Sequence, residues 1–213
     1  MHEFKSWHNE ALAARVVAAL NKNNFTASYA ATRQEAAEKI LSLVPADANV
    51  GIGGSWTLNQ MEIPKLLEER GNTVLNHNKP GLTPEETLSI RRQQLTCDVF
   101  MTSTNAVTLD GRLVNVDGAG NRVAAMIFGP KKTIIVAGVN KIAFDVADAE
   151  KRIQLHAAPV NNKRLDRPNP CVKTGQCMDC QGPTRICNVT TIIHKKPGPT
   201  NIEIILVGEE LGF

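Results

Sequence analysis

The stretch 98-DVFMTSTNAVTLDGRLVNVDGAGNRVAAMIFGPKKTIIVAG-138 decides the fold, because its hydrophobic period changes along its length. Residues 98–104 are an apolar run ending in hydroxyls, which reads as a strand. Residues 105–117 alternate about Asp110-Gly111, a dipeptide favoured in tight hairpin turns. Gly118 to Ile127 takes the spacing of a short helix. Residues 132–138, KTIIVAG, are again strongly strand-like. Strand, hairpin, helix and strand in this order belong to a sheet covered by helices.

The same alternation runs outward in both directions. Upstream, apolar residues at helical spacing predict a helix over 9–23, then a strand over 25–30. Thr32 with Glu35 is a capping-box pattern opening a helix over 32–44. A strand over 48–53 feeds a helix from about Thr57 to Glu69. A strand over 72–77 precedes a helix over 83–95 with Pro84 in its first turn. Downstream, a helix is expected over 144–158 and strands over 188–196 and 201–211 about a Pro-Gly-Pro turn. The sum is an α/β fold with a mostly parallel sheet flanked by helices. Residues 1–213 are expected to form one domain with a cysteine-rich loop at 170–188.

Composition narrows the function classes. Of 213 residues, 42% are hydrophobic and 21% charged, enough for an ordinary buried core. Aromatic content of 4% and a net charge of +3 argue against a nucleic-acid surface. The short basic runs 163-KRLDR-167 and His194-Lys195-Lys196 read as solvated faces. No segment approaches the length needed to span a bilayer, and the start, MHEFKSWHNEALAARVV, is an amphipathic helix carrying acid, unlike a signal peptide. A cytoplasmic protein is expected.

That compartment bears on 170-PCVKTGQCMDCQGPTRICN-188, which holds Cys171, Cys177, Cys180 and Cys187, four of the five cysteines. Cytosolic thiols stay reduced, so a local cluster points to metal more than to disulfides. The spacing C-x5-C-x2-C-x6-C fits tetrahedral zinc or an iron–sulfur cluster. Gly175, Gly182 and Pro183 let the longer arms wrap back. Two disulfides or four ordinary thiols are the alternatives. Cys97 stands apart and reads as a packing residue.

Two polar stretches are candidate ligand sites. In 50-VGIGGSWTLNQMEI-63 a strand ends in Gly53, Gly54 and Ser55 before a helix, an order in which backbone N–H groups favour an anion, with Ser55 and Thr57 as added donors. A tight turn without ligand explains the glycines as well. It is neither a Walker loop nor a dinucleotide fingerprint. The second stretch, 102–124, gathers Asn105, Asp117, Asn121 and Arg122 at strand ends, where open α/β sheets bind ligands. Arg122 is suited to a carboxylate or phosphate.

With these stretches in hand, the chain resembles the LUD-domain proteins, a family that includes the lactate-utilisation protein C group. The matching stretches are 53-GGSWTLNQMEI-63, 98–142 and 201-NIEIILVGEELGF-213. The resemblance implies a fold similar to the ribose-phosphate isomerase and CoA-transferase group. It implies a role beside L-lactate oxidation to pyruvate, and Gly53, Gly54, Ser55 and Thr57 as an anion loop with Asn105, Asp117 and Asn121 in the pocket. The chain also looks like a stand-alone form from anaerobes that carries the four-cysteine loop, which favours a [4Fe-4S] cluster over zinc. The glutamate context of CoA-transferases is not recognisable, so that activity is not carried over.

The expected function is an iron–sulfur protein in redox metabolism of small 2-hydroxy acids such as lactate, as electron-transfer or accessory subunit. The alternative is an anion-binding enzyme of isomerase or lyase type with a structural or Lewis-acid metal. Expected partners are a small anionic metabolite, redox partner proteins and a second copy of the chain, with no nucleic acid and no membrane span. The cysteine loop is expected over the same end of the sheet as the glycine loop.

Overall fold

The computed structural model of the chain describes residues 3–213. Helix α1 (Glu3–Lys22) leads into β1 (Thr26–Ala30), α2 (Arg33–Leu43), β2 (Asn49–Ile52), α3 (Trp56–Gln60), α4 (Ile63–Glu69), β3 (Thr73–Asn76), α5 (Pro84–Gln93) and β4 (Val99–Thr102). Then come β5 (Ala106–Thr108), β6 (Leu113–Asp117), α6 (Asn121–Ile127), β7 (Lys132–Gly138), β8 (Ile142–Ala143) and α7 (Val146–Arg152). The chain ends through α8 (Ala158–Arg164), α9 (Cys171–Thr174), β9 (Val189–Ile193) and β10 (Asn201–Val207). Met1 and His2 of the expected N-terminal helix lie outside the described residues. Among the described residues no helix is long and apolar enough to cross a membrane.

Six strands form a parallel sheet in the order β1-β10-β7-β4-β2-β3. The expected α/β fold with a parallel sheet flanked by helices is therefore present. Side chains alternate across the strands, as the two-residue period of a strand requires. In β7, Ile135 and Ala137 face a core with Val16 and Leu20 of α1 and Met126 of α6. Ile134 and Val136 face the opposite core, with Ile40 of α2, Leu58 of α3 and Leu67 of α4. Both faces are buried, which is why β7 and β10 read as continuous apolar runs.

A second sheet, β8-β5-β6-β9, is mixed and was not expected. The hairpin β5-β6 turns at Gly111, whose φ of 81° requires glycine, and it pairs outward with β9 rather than joining the main sheet. The two closing strands thus separate, β9 into this sheet and β10 into the main one. Val107 and Leu113 face the main core, whereas Ala106 and Val114 pack with Ala149 and Ile153 on the other side.

Two expected helices differ in detail. The helix over 57–69 is split, because Pro64 cannot lie inside a helix without losing an N–H and striking the preceding turn. Glu62 takes a left-handed φ of 53° and α4 restarts with the proline in its first turn. The helix over 144–158 instead continues to Arg164 through a π turn at Ile153–Ala157, just before Pro159.

Candidate functional site

The main sheet reverses its direction of winding between β2 and β4. From β2 the chain goes outward to β3, then returns to place β4 on the other side. Such a switch point opens a crevice at the carboxyl ends of the strands. A cavity of about 440 Å³ lies there. Gly53, Gly54, Ser55, Asn105, Asp117, Asn121 and Arg122 all line it, so the two polar stretches converge on one space.

Their individual roles differ from the sequence reading. A side chain at Gly53 would come 2.5 Å from Phe100 and 3.0 Å from Thr102 Oγ1, and Gly54 has φ of 61°, so each glycine has a packing or backbone reason. Ser55 Oγ accepts from Leu58 N at 3.2 Å and caps α3, which has only five residues. Thr57 is buried and does not line the cavity. Its Oγ1 donates to the Leu211 carbonyl at 3.3 Å and accepts from Lys141 Nζ at 2.9 Å.

Arg122 is fully engaged by the protein. Its Nε donates to Asp117 Oδ1 at 3.1 Å. One terminal nitrogen donates to Asn115 Oδ1 at 2.7 Å and the Ser103 carbonyl at 3.1 Å, the other to Asn105 Oδ1 at 2.9 Å and the Val116 carbonyl at 3.1 Å. A guanidinium has five N–H donors, and all are matched here. Arg122 therefore clamps β6 to the end of β4 and supplies charge to the cavity rather than a free fork. Asp117 also accepts from the backbone N–H groups of Arg122 and Val123, closing the turn into α6.

The cavity is strongly cationic. Arg91, Arg122, Arg164, Arg167, Arg185 and Lys141 line it, and among the described residues Asp117 is the one lining side-chain carboxylate. Arg91 has a buried Nε with no hydrogen-bond partner among the described residues. Arg164 lies 5.7 Å from the Trp56 ring and 5.9 Å from the Phe213 ring, a cation–π arrangement worth about 0.5–1 kcal/mol near solvent. His77 stays neutral. Burial, then the positive charge of Arg91, pushes its pKa down to about 4. Lys141 is 3% exposed, and burial followed by repulsion from Arg152 and Arg122 brings its amine down to about 7.

The cysteine loop reaches the same cavity. Pro183, Thr184, Arg185 and Ile186 line it. Three anchors hold the loop. Asn188 N donates to the Asp117 carbonyl at 2.9 Å. Buried Asn169 joins α8 to the loop, donating to Asn162 Oδ1 at 2.6 Å and the Thr184 carbonyl at 2.9 Å. Cys177 N donates to the Gln154 carbonyl at 2.8 Å, within the π turn. Arg185 draws two cysteines inward by donating to the carbonyls of Cys180, at 2.7 Å, and Cys187, at 3.0 Å.

All five cysteines are free. Cys171 is buried, Cys180 and Cys187 are half-buried, and Cys177 is exposed. Desolvation, then the neighbouring Cys177, pushes the Cys187 thiol up to about 11, and burial with Cys180 and Cys177 raises Cys171. As a donor set the four thiols fit a thiolate-bound centre. Among the described residues no group of three or more His, Cys, Asp or Glu side chains is gathered for a metal ion. The four thiols are near enough to feel one another's charge, and a metal bound by them would add its binding energy to the anchors of the loop. Cys97 is buried against Gly51, Gln94 and Phe100, as a packing residue should be.

Sequence reading missed Lys141, His77, Arg91 and the two arginines of 163–167. Lys141 had a usable signal, since it lies three residues past the end of an apolar strand. Arg164 and Arg167 had none. They reach the cavity because the helix runs on past Pro159 instead of ending before it.

The family model described as the LUD domain matches residues 13–207. Among solved structures the chain is similar to a DUF162 family protein from Deinococcus radiodurans, at 13% identity over 93% of this chain and 98% of that one, with a TM-score of 0.54. That likeness is one of fold. It is also similar to ribose 5-phosphate isomerase A from Neisseria gonorrhoeae, at 15% identity over 54% of each chain and a TM-score of 0.35. No curated protein matches the chain.

Proposed function

The chain belongs to the LUD-domain family, a family that includes lactate-utilisation proteins, and from that premise we propose that its cavity binds a small carboxylate of the 2-hydroxy- or 2-oxo-acid class. One observation carries this reading. Among the described residues five arginines line the cavity with a single side-chain carboxylate; that carboxylate is already bound to Arg122, and of the other arginines only Arg185 has an acidic partner, Asp179 at 2.6 Å outside the lining. Gathering so much like charge about one partly enclosed space is unfavourable unless an anion compensates it. Arg91 and Arg164 are the side chains suited to hold the anion, since Arg122 is committed. Titration calorimetry with L-lactate, pyruvate and inorganic phosphate tests the proposal. A small carboxylate should bind, and Arg164→Ala should weaken it. Absence of heat with every anion would count against the reading.

A second reading, of an electron-transfer or accessory subunit, is favoured by the cysteine loop. Cys171, Cys177, Cys180 and Cys187 are the residues that would hold an iron–sulfur cluster, or zinc in its place. A cluster there supplies one-electron transfer when bound. The supporting observation is that the same loop walls the anion cavity through Pro183–Ile186. Anaerobic reconstitution with iron and sulfide decides it. About four irons per chain in a cubane cluster, lost on Cys180→Ser, support the cluster. Stoichiometric zinc with no bound iron points to a structural centre.

A further inference from the structure

We propose that Lys141 is the reactive group of this cavity, a fixed amine that condenses with the ketone of a small 2-oxo acid to form an imine. The inference rests on the reading of the cavity as a carboxylate site and names the group that acts on what it binds.

Lys141 ends the short turn that follows β7, at the carboxyl edge of the sheet. Its Nζ donates to Thr57 Oγ1 at 2.9 Å and to Ser103 Oγ at 2.8 Å, and it has no acidic partner among the described residues. In the neutral amine those bonds engage both N–H groups and leave the lone pair. Lys141 lines the cavity, as does its partner Ser103. A purely structural role is a poor explanation. Two hydrogen bonds to hydroxyls do not offset the burial of a lysine that has no acidic partner among the described residues. Burial, then the positive charges of Arg152 and Arg122 that face it, brings the amine down to about 7, so a large share of it is neutral and nucleophilic near pH 7.

The amine is also immobilised. Gly212, with φ of 64°, lies against it, and a side chain there would come 3.0 Å from Nζ and 2.5 Å from Thr57 Oγ1. A nucleophile held in place removes orientational cost from the reaction. A 2-oxo acid suits this chemistry, because its carboxylate complements a cavity lined by arginines and its ketone carbon is bonded directly to that carboxylate.

The chemistry balances without an added oxidant. The Nζ lone pair adds to the carbonyl carbon, and the carbonyl oxygen takes up a proton to give a carbinolamine. That oxygen then leaves as water as the C=N bond forms, so amine plus ketone gives imine plus water. Both protons on the departing oxygen come from Nζ, and Ser103, which lines the cavity and is hydrogen-bonded to Nζ, is positioned to relay them.

The test is reductive trapping. The protein is incubated with pyruvate and cyanoborohydride, then mapped by peptide mass spectrometry, with calorimetry of pyruvate binding in parallel. The expected result is one N-carboxyethyl group on Lys141, far in excess of any exposed lysine, and its loss in Lys141→Arg, which keeps charge and removes the nucleophile. Pyruvate binding without an adduct at Lys141 overturns this inference and leaves the carboxylate site intact. Neither binding nor adduct overturns both. Even modification of many lysines also overturns it. The wild-type peptide map decides the matter if the variant fails to fold.

Discussion

Lys141 carries a measurable consequence for stability. Its folded pKa lies near 7 against 10.5 for a free lysine. Between those values the unfolded chain binds a proton that the folded chain does not, so this residue makes stability rise with pH across that window. Below pH 7 both states are protonated and the contribution is flat. The slope is at most one proton, about 1.4 kcal/mol per pH unit. Lys141→Met should therefore lose most of this slope while Arg122 and Arg152, which face the same amine, stay charged. Urea unfolding of both proteins at pH 7 and pH 9 checks it. Parallel stability curves would show that the amine is not desolvated.

At the scale of elements, the π turn and the cysteine loop depend on one another. In the π pattern Ala158 N bonds the Ile153 carbonyl. The next bond of that series would run from residue 159 to Gln154, but Pro159 has no N–H. The Gln154 carbonyl is left over, and Cys177 N takes it at 2.8 Å. A helix defect thus becomes the anchor for the loop. Pro159→Ala supplies a competing donor. Protection of the Cys177 amide should fall by about fivefold, the equivalent of about one hydrogen bond's net 1 kcal/mol. Hydrogen exchange on the peptide spanning Cys177 measures this. Unchanged protection there would mean that the loop is held by Asn169 and Asn188 alone.

On the scale of the whole molecule, parallel strands send every functional loop to one edge, and the edge concentrates cations. A carboxylate bound there stabilises the folded state by mass action. At about a hundred times its Kd the gain is about 2.7 kcal/mol. Thermal unfolding should shift upward with pyruvate or L-lactate, and the shift should shrink as salt rises from low ionic strength, since part of the attraction is screened. A shift indifferent to salt would point to apolar contacts instead of arginine.

What the sequence determined by itself was local and periodic. Runs such as KTIIVAG at 132–138 show their burial on both faces because the apolar residues are continuous instead of alternating. The strand-helix alternation therefore sufficed for the parallel α/β sheet. Gly53, Asn105, Asp117 and the four clustered cysteines were visible because each sits at a strand end or in a tight spacing. Only the tertiary structure decided how Arg122 is used, since its five partners come from Ser103 to Asp117 and meet only after folding. It alone separated β9 from β10, because strand pairing depends on partners distant in the chain. It alone brought Lys141 to Thr57 and Ser103, turning an unremarked lysine past a strand into a buried amine. Charge burial is a property of the surroundings, and the surroundings of Lys141 are assembled from β4, α3, β7 and the closing residues about Gly212.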